Sequence, residues 1–232
     1  LNTAIIQIEN EYYSSIRPKR LVGSGERPIN ALRENGIEYV EIRALDNNIY
    51  DPFGISDETA IFLESFLFYC LISEDQPCDA DEINKIQNNW GNVVLSGRDD
   101  DLELHLKEGS VRLRDKAIEI LDAMTKFESR IGDQEYRNLF KRSLKSQRQK
   151  ISDSNMTPSG KLLQEINTSG LTWDEYTNQI AISHKKEILK SKRDVHYLEE
   201  QAKESLEEFA IKEAQTEKDF DSFLAEYLSA IE

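Results

Sequence analysis

The chain has 232 residues, 38% hydrophobic and 31% charged, with a net charge of −15, which suits one large folded domain or two unequal ones rather than a disordered polymer. An acidic surface is a poor match for nucleic acid or anionic membrane, where affinity comes from neutralising phosphates, so neither is expected as a partner. No apolar run approaches the roughly 20 residues of a membrane span, and the two cysteines, Cys70 and Cys78, have no metal-site or CxxC spacing, which fits a reducing cytoplasm.

The first residues, Leu1-Asn2-Thr3-Ala4-Ile5-Ile6, already read as the middle of a strand and carry no basic leader, so an excised piece of a longer polypeptide is expected. Ala4 to Tyr13 alternates, with Ile6 and Ile8 on one face and Gln7, Glu9, Glu11 and Tyr13 on the other. Ser14 to Arg20 follows, in which Pro18 keeps its neighbours extended and Arg17, Lys19 and Arg20 place three cations within four residues. That cluster is either a surface loop or a polyphosphate clamp. Charge is uneven: six Lys/Arg stand against seven Asp/Glu in residues 1–50, leaving 23 against 37 in the rest.

Gly23 to Pro28 is a turn-rich loop without the spacing of a P-loop, and Ile29 to Glu34 is a short helix stopped by Asn35-Gly36. The next strand, Gly36 to Asp46, organises the chain. Its period of two puts Val40, Ile42 and Ala44 on a core face and Tyr39, Glu41 and Arg43 on the other. Side chains two apart stand roughly 7 Å apart, so Glu41 and Arg43 can flank one ligand. The carboxylate suits a hard cation such as Mg²⁺ and the guanidinium suits a phosphate. The same pattern also describes the solvated face of an amphipathic strand.

These residues carry a resemblance. Ile8-Glu9-Asn10-Glu11-Tyr12-Tyr13, Ile16-Arg17-Pro18-Lys19-Arg20, Gly25-Glu26 and Gly36-Ile37-Glu38-Tyr39-Val40-Glu41-Ile42-Arg43-Ala44-Leu45-Asp46, in that order, resemble the proteobacterial glutamate–cysteine ligase family, and the likeness continues through Asn89-Trp90, Gly97-Arg98 and Thr157-Pro158-Ser159. The resemblance is to the C-terminal portion of a longer enzyme. It implies an α+β fold: part of a glutamine-synthetase-like active-site β-sheet in residues 1–55, followed by a mostly α-helical region, 56–232, packed on and beside it. It further implies ATP and Mg²⁺, with L-glutamate phosphorylated on its side chain and L-cysteine displacing the phosphate. By position, Glu41 falls on a metal-binding glutamate, Arg43 on a catalytic, phosphate-contacting arginine and Tyr13 on a tyrosine of the cysteine pocket. Arg17, Lys19 and Arg20 fall on a basic motif assigned to ATP phosphates. The N-terminal remainder of the same enzyme is the implied partner, and the isolated chain is expected to be inactive.

Past residue 55, Ser56 to Ser73 is expected as a central, buried helix, apolar nearly all round, with Cys70 a small core residue, and Asp79 to Val94 as a second helix with Trp90 as a core or interface anchor. Gly97 to Asp101 reads as a solvated turn and Leu102 to Leu106 as a brief strand whose His105 is structural. Helices follow over Val111–Ile131, Gln134–Ile151, Thr157–Ile166, Thr172–Leu189, Asp194–Ala214 and Thr216–Ile231. Thr157-Pro158 is a capped start and Thr172 with Glu175 a capping box. Lys141, Arg142, Lys145, Arg148 and Lys150 are expected on one solvated face. Two rival readings are a related carboxylate–amine ligase with another substrate, and a non-catalytic helical interaction module.

Overall fold

The structure, a computed structural model, describes residues 13–23, 25–74, 76–190, 195–215 and 219–229. In chain order its elements are β1 (Ile16–Lys19), α1 (Pro28–Asn35), β2 (Tyr39–Ile42), α2 (Asp57–Ile72), α3 (Ala80–Ser96), β3 (Glu103–Leu106), β4 (Gly109–Arg112) and α4 (Leu113–Thr125). They continue with α5 (Gln134–Ser152), α6 (Pro158–Ser169), α7 (Trp173–Lys190), α8 (His196–Glu213) and α9 (Phe220–Ser229). The α+β expectation holds, with helices dominant and, among the described residues, two small antiparallel sheets. The strand read over Ala4–Tyr13 lies outside the described residues except for Tyr13. No helix among the described residues is long and apolar enough to cross a membrane.

Contacts divide the chain into two compact units, residues 1–46 with 192–232, and residues 47–191. Residues 47–55 thus group with the helices and not with the ribbon.

In the first unit, β1 and β2 pair antiparallel with Arg17 opposite Glu41 and Lys19 opposite Tyr39, and bonds from Glu38 N to Lys19 O (2.9 Å) and Arg43 N to Ser15 O (2.7 Å) extend the ribbon. Pro28 opens α1, where its missing N–H costs nothing. Gly36, at φ 76°, closes the helix by donating its N–H to Leu32 O, a conformation that a Cβ would oppose. The Arg27 side chain is buried and its guanidinium lies 5.2 Å over the Tyr227 ring of α9. The face of β2 expected as core is not one: Val40 is 39% exposed and Ala44 is exposed too, with Ile42 half-buried. Alternation dictates which side chains share a face but not whether a second layer covers it.

The second unit is built on three helices. Leu121 and Met124 of α4 and Phe140 and Leu144 of α5 are buried, with Ile61, Phe62, Phe66 and Tyr69 of α2 packed against them. The buried Ser143 hydroxyl donates to Glu58 O at 2.6 Å, joining α5 to the first turn of α2. Local chemistry starts each helix: side-chain oxygens of Ser56, Asp79, Asp133 and Thr157 accept from Thr59, Glu82, Tyr136 and Gly160 N–H. Thr172 and Glu175 form the reciprocal box that precedes α7.

Four expectations need correction here. α2 is not buried all round, because Phe68, Leu71 and Ile72 are exposed at its C-terminal end, and Cys70 is exposed as well; an apolar circumference needs cover on every side, and the core reaches only one. Trp90, expected as a core or interface anchor, is 52% exposed and outside the core, which the interface alternative allows. The helix expected from Val111 starts at Leu113, since Gly109–Arg112 pairs with β3 as a hairpin. That hairpin is held by Asn89, whose Nδ2 donates to His105 O and whose Oδ1 accepts from His105 N, both at 2.8 Å. Lys150, expected in solvent, is half-buried, as is Arg148, which pairs with Asp122, while Lys141 does sit on the surface and pairs with Glu128.

Far along the chain, Tyr50 donates to Glu165 Oε2 at 2.6 Å and Tyr176 donates to the same oxygen. Burial, reinforced by that carboxylate, pushes the Tyr50 phenol well above its ordinary range.

Candidate functional site

The antiparallel register dictates which charges meet. Residues directly opposite share a face, so Arg17 and Lys19 of β1 stand on the same side as Tyr39 and Glu41 of β2. Arg43, two residues beyond Glu41, returns to that side just past the end of the strand. Its Nε lies 3.0 Å from Glu41 Oε1 and its Nη2 donates to Glu41 Oε2 at 3.2 Å. Lys19 Nζ approaches that second oxygen at 3.3 Å. The Arg43 guanidinium also stacks against Tyr13, 4.9 Å from the ring centroid, a cation–π arrangement.

The Arg43 hydrogen bond, opposed by partial burial and assisted by Lys19, holds the Glu41 carboxyl below the usual carboxylate range. The three interacting charged side chains are each about one third exposed, at 28%, 31% and 35%. They therefore form a layer that an incoming ligand can reach, and Tyr13 beside them is 73% exposed.

Of the six residues singled out from the sequence, Tyr13, Lys19, Glu41 and Arg43 come together in direct contact, and Arg17 joins their face through the register. Arg20 points elsewhere. Its Nη1 donates to Asn35 O (2.8 Å) and Gly36 O (3.2 Å), placing a cation on the carbonyl end of α1 where the helix dipole favours it. Among the described residues of this face, the cations Arg17, Lys19 and Arg43 outnumber the carboxylate Glu41. An oxygen-rich dianion is the chemical partner for such a face, because Arg43 offers a planar fork and Lys19 a point charge beside it.

A metal fits less well. Glu41 is one carboxylate whose two oxygens already meet cations, whereas Mg²⁺ takes about six oxygens. Among the described residues no group of three or more His, Cys, Asp or Glu side chains could hold a metal ion. The acids Asp99 to Asp101 serve a turn: Asp101 N donates to Asp99 Oδ1 at 3.0 Å, and Asp100 pairs with Arg114. The histidines are structural in the same sense. His105 Nδ1 meets Ser110 Oγ at 2.9 Å, His184 Nε2 meets Ile49 O at 2.8 Å, and His196 lies 3.3 Å from Glu200.

Sequence reasoning missed a second feature, a mainly apolar cavity of about 370 Å³ within residues 47–191 whose lining also includes Arg98, Lys150 and Thr157. The available signal was the position of Lys150 immediately before the half-buried Ile151, where a helix passes from its wet to its packed face.

Comparison with known proteins follows the same residues. A family model described as glutamate-cysteine ligase matches residues 1–93. The chain is 36% identical to the glutamate–cysteine ligase of Alcanivorax borkumensis over 230 residues, covering 98% of the chain and 44% of that protein. It is 37% identical to that of Pseudomonas syringae pv. syringae over 235 residues, covering 100% of the chain and again 44% of the relative. The chain thus spans less than half the length of the curated relatives it matches. A crystal structure of glutamate–cysteine ligase from Francisella tularensis in complex with AMP superposes with a TM-score of 0.87 at 30% identity, covering 99% of this chain and 46% of that one. A bifunctional glutathione synthetase from Pasteurella multocida, with a TM-score of 0.57 at 20% identity over 77% of this chain and 22% of that one, shares the fold alone.

Proposed function

We propose, from the premise that this chain belongs to the glutamate–cysteine ligase family, that it is the C-terminal portion of an ATP-dependent ligase making γ-glutamylcysteine. The γ-carboxylate of L-glutamate attacks the terminal phosphorus of ATP and the bond to ADP breaks, leaving a γ-glutamyl phosphate. The amine of L-cysteine then attacks the acyl carbon, phosphate departs, and the amine loses its proton to solvent. Activation is needed because an unmodified carboxylate would have to expel oxide. The protein's task is to position three substrates and to neutralise charge as it develops.

In this reading Arg43 stabilises the transferring phosphoryl group and is the catalytic residue, while Arg17 and Lys19 serve the polyphosphate and Arg20, engaged at the end of α1, supports the ribbon beside them. Tyr13 lines the cysteine pocket. Glu41 would hold Mg²⁺ only as one donor of an incomplete set and only on release from Arg43 and Lys19. The observation that carries the reading is the convergence of Arg43, Lys19 and Tyr13 on Glu41; scattered side chains would have favoured the interaction module. The N-terminal remainder of the enzyme is the partner that completes the site, and a cytoplasmic location suits the substrates.

Phosphate release by the full-length protein tests the reading. Release should require glutamate and cysteine together and should fail when Arg43 is alanine. Equal turnover with other carboxylates or amines would instead identify a related ligase, and release indifferent to both amino acids would overturn the proposal.

A further inference from the structure

Within residues 47–191 a cavity of about 370 Å³ opens between α2, α4 and the end of α5, near the lower limit of roughly 300 Å³ for small-molecule pockets. Phe62, Phe66, Ile120 and Leu121 give it an apolar floor. Its charged lining is Arg98, Arg114 and Lys150 against Asp99 alone, a local positive excess in a chain of net charge −15. Arg114 is engaged by Asp100. Lys150 is not: its ammonium donates to Gln147 Oε1 at 3.4 Å, and among the described residues no carboxylate lies within ion-pair distance of it. Glu58 acts on it electrostatically from beyond ion-pair distance, so the half-buried ammonium is only partly compensated and keeps donors to spare, and a buried charge so weakly paired is costly.

We propose that this cavity binds a small amphipathic carboxylate, its head on Lys150 Nζ and Gln147 and its apolar body against Phe62, Phe66 and Ile120. The motif residues Gly97, Arg98 and Thr157, which the ligase chemistry leaves without a role, also line the cavity. The site shares no residue with the Glu41–Arg43 cluster.

The test is calorimetric titration of the protein with 4-phenylbutanoate and with the neutral 4-phenylbutan-1-ol. The acid should bind at one saturable site, about tenfold tighter than the alcohol, the equivalent of one good charged contact. Lys150→Met should remove that preference by weakening the acid alone, Lys150→Arg should retain it, and Ala117→Trp should abolish binding of both by filling the cavity. Circular dichroism of each variant separates lost binding from lost fold, and Lys150→Met requires no repacking if the tryptophan variant fails to fold. Equal affinity for acid and alcohol, an unchanged acid affinity in Lys150→Met, or absence of a saturable signal overturns the proposal. Displacement of the acid by AMP also overturns it, by assigning the cavity to nucleotide. Glu41→Ala should leave this binding intact, so the cavity and the ligase reading fail independently.

Discussion

Arg43 holds the Glu41 carboxylate with two of its nitrogens, Nε at 3.0 Å from Oε1 and Nη2 at 3.2 Å from Oε2. A phosphate presents the same paired oxygens at greater charge, so the fork that grips Glu41 is already shaped for a phosphoryl group. Lysine has a point charge instead of a fork. In the full-length protein, Arg43→Ala should lower turnover by about a hundredfold or more, as loss of a transition-state charge contact does, and Arg43→Lys should recover little of it. Far-ultraviolet circular dichroism should be unchanged in both, since the side chain is partly exposed. Near-normal phosphate release from either variant would remove Arg43 from the chemistry.

The same contact sets a pH dependence. Glu41 has a folded-state pKa depressed chiefly by Arg43 and then by Lys19, so the ion pair stabilises the ribbon fully above the unfolded carboxyl value, near 4.3, and that contribution disappears as pH falls through the lower folded value. Removing Arg43 should raise the Glu41 pKa back towards the ordinary range. A carboxyl ¹³C titration by NMR reads this directly. An unmoved Glu41 midpoint in Arg43→Ala would mean that the two groups do not interact in solution.

Tyr13 stacks on Arg43 through its ring and not its hydroxyl, which separates two roles for one side chain. Tyr13→Phe keeps the cation–π contact and removes one hydrogen-bonding group, so the KM for ATP should hold while the KM for cysteine rises several-fold, the scale of one lost neutral hydrogen bond at about 1 kcal/mol. Tyr13→Leu should disturb both. A cysteine response identical to that of the native residue in Tyr13→Phe would refute the pocket role.

Legibility of the chain follows the range of the interactions. Ser56, Thr157, Thr172 with Glu175, and Asn35-Gly36 announce helix ends because caps and stops act within four residues. Glu41 and Arg43 share a side for an equally local reason, and the family motifs supplied Lys19 as their neighbour. What was not legible depends on distant partners. Tyr50 and Glu165 are 115 positions apart, and Asn89 grips a hairpin 16 residues on. Strand β4 is four residues long, too short for a period to declare itself. Lys150 sat in a run of cations and differs from them only in what α5 packs against. Val40 and Ala44 show the converse: alternation puts them on one hydrophobic face, and nothing local dictates whether a second layer covers it.

Gly160 offers a stability test in which two effects oppose each other. It lies in the first turn of α6 without a positive φ, a setting where alanine ordinarily stabilises a helix by about 0.5–1 kcal/mol. Here a Cβ would stand 2.5 Å from Ser154 O and 2.8 Å from Asn155 Cα, both backbone atoms of the preceding 3₁₀ turn (Ser154–Met156), and 3.0 Å from Thr157 Oγ1, the cap itself. Backbone cannot step aside as a flexible side chain does, and overpacking of this kind costs about 1–3 kcal/mol. The clash should outweigh the propensity gain, so Gly160→Ala should lower the urea midpoint with the m-value unchanged, and the exchange of the Gly160-position amide with solvent should quicken as its bond to Thr157 Oγ1, 3.1 Å in the native turn, is pried open. A midpoint equal to or above that of the native protein would show that the turn before α6 yields to a methyl group, and that the close approach of Ser154 to residue 160 does not require glycine.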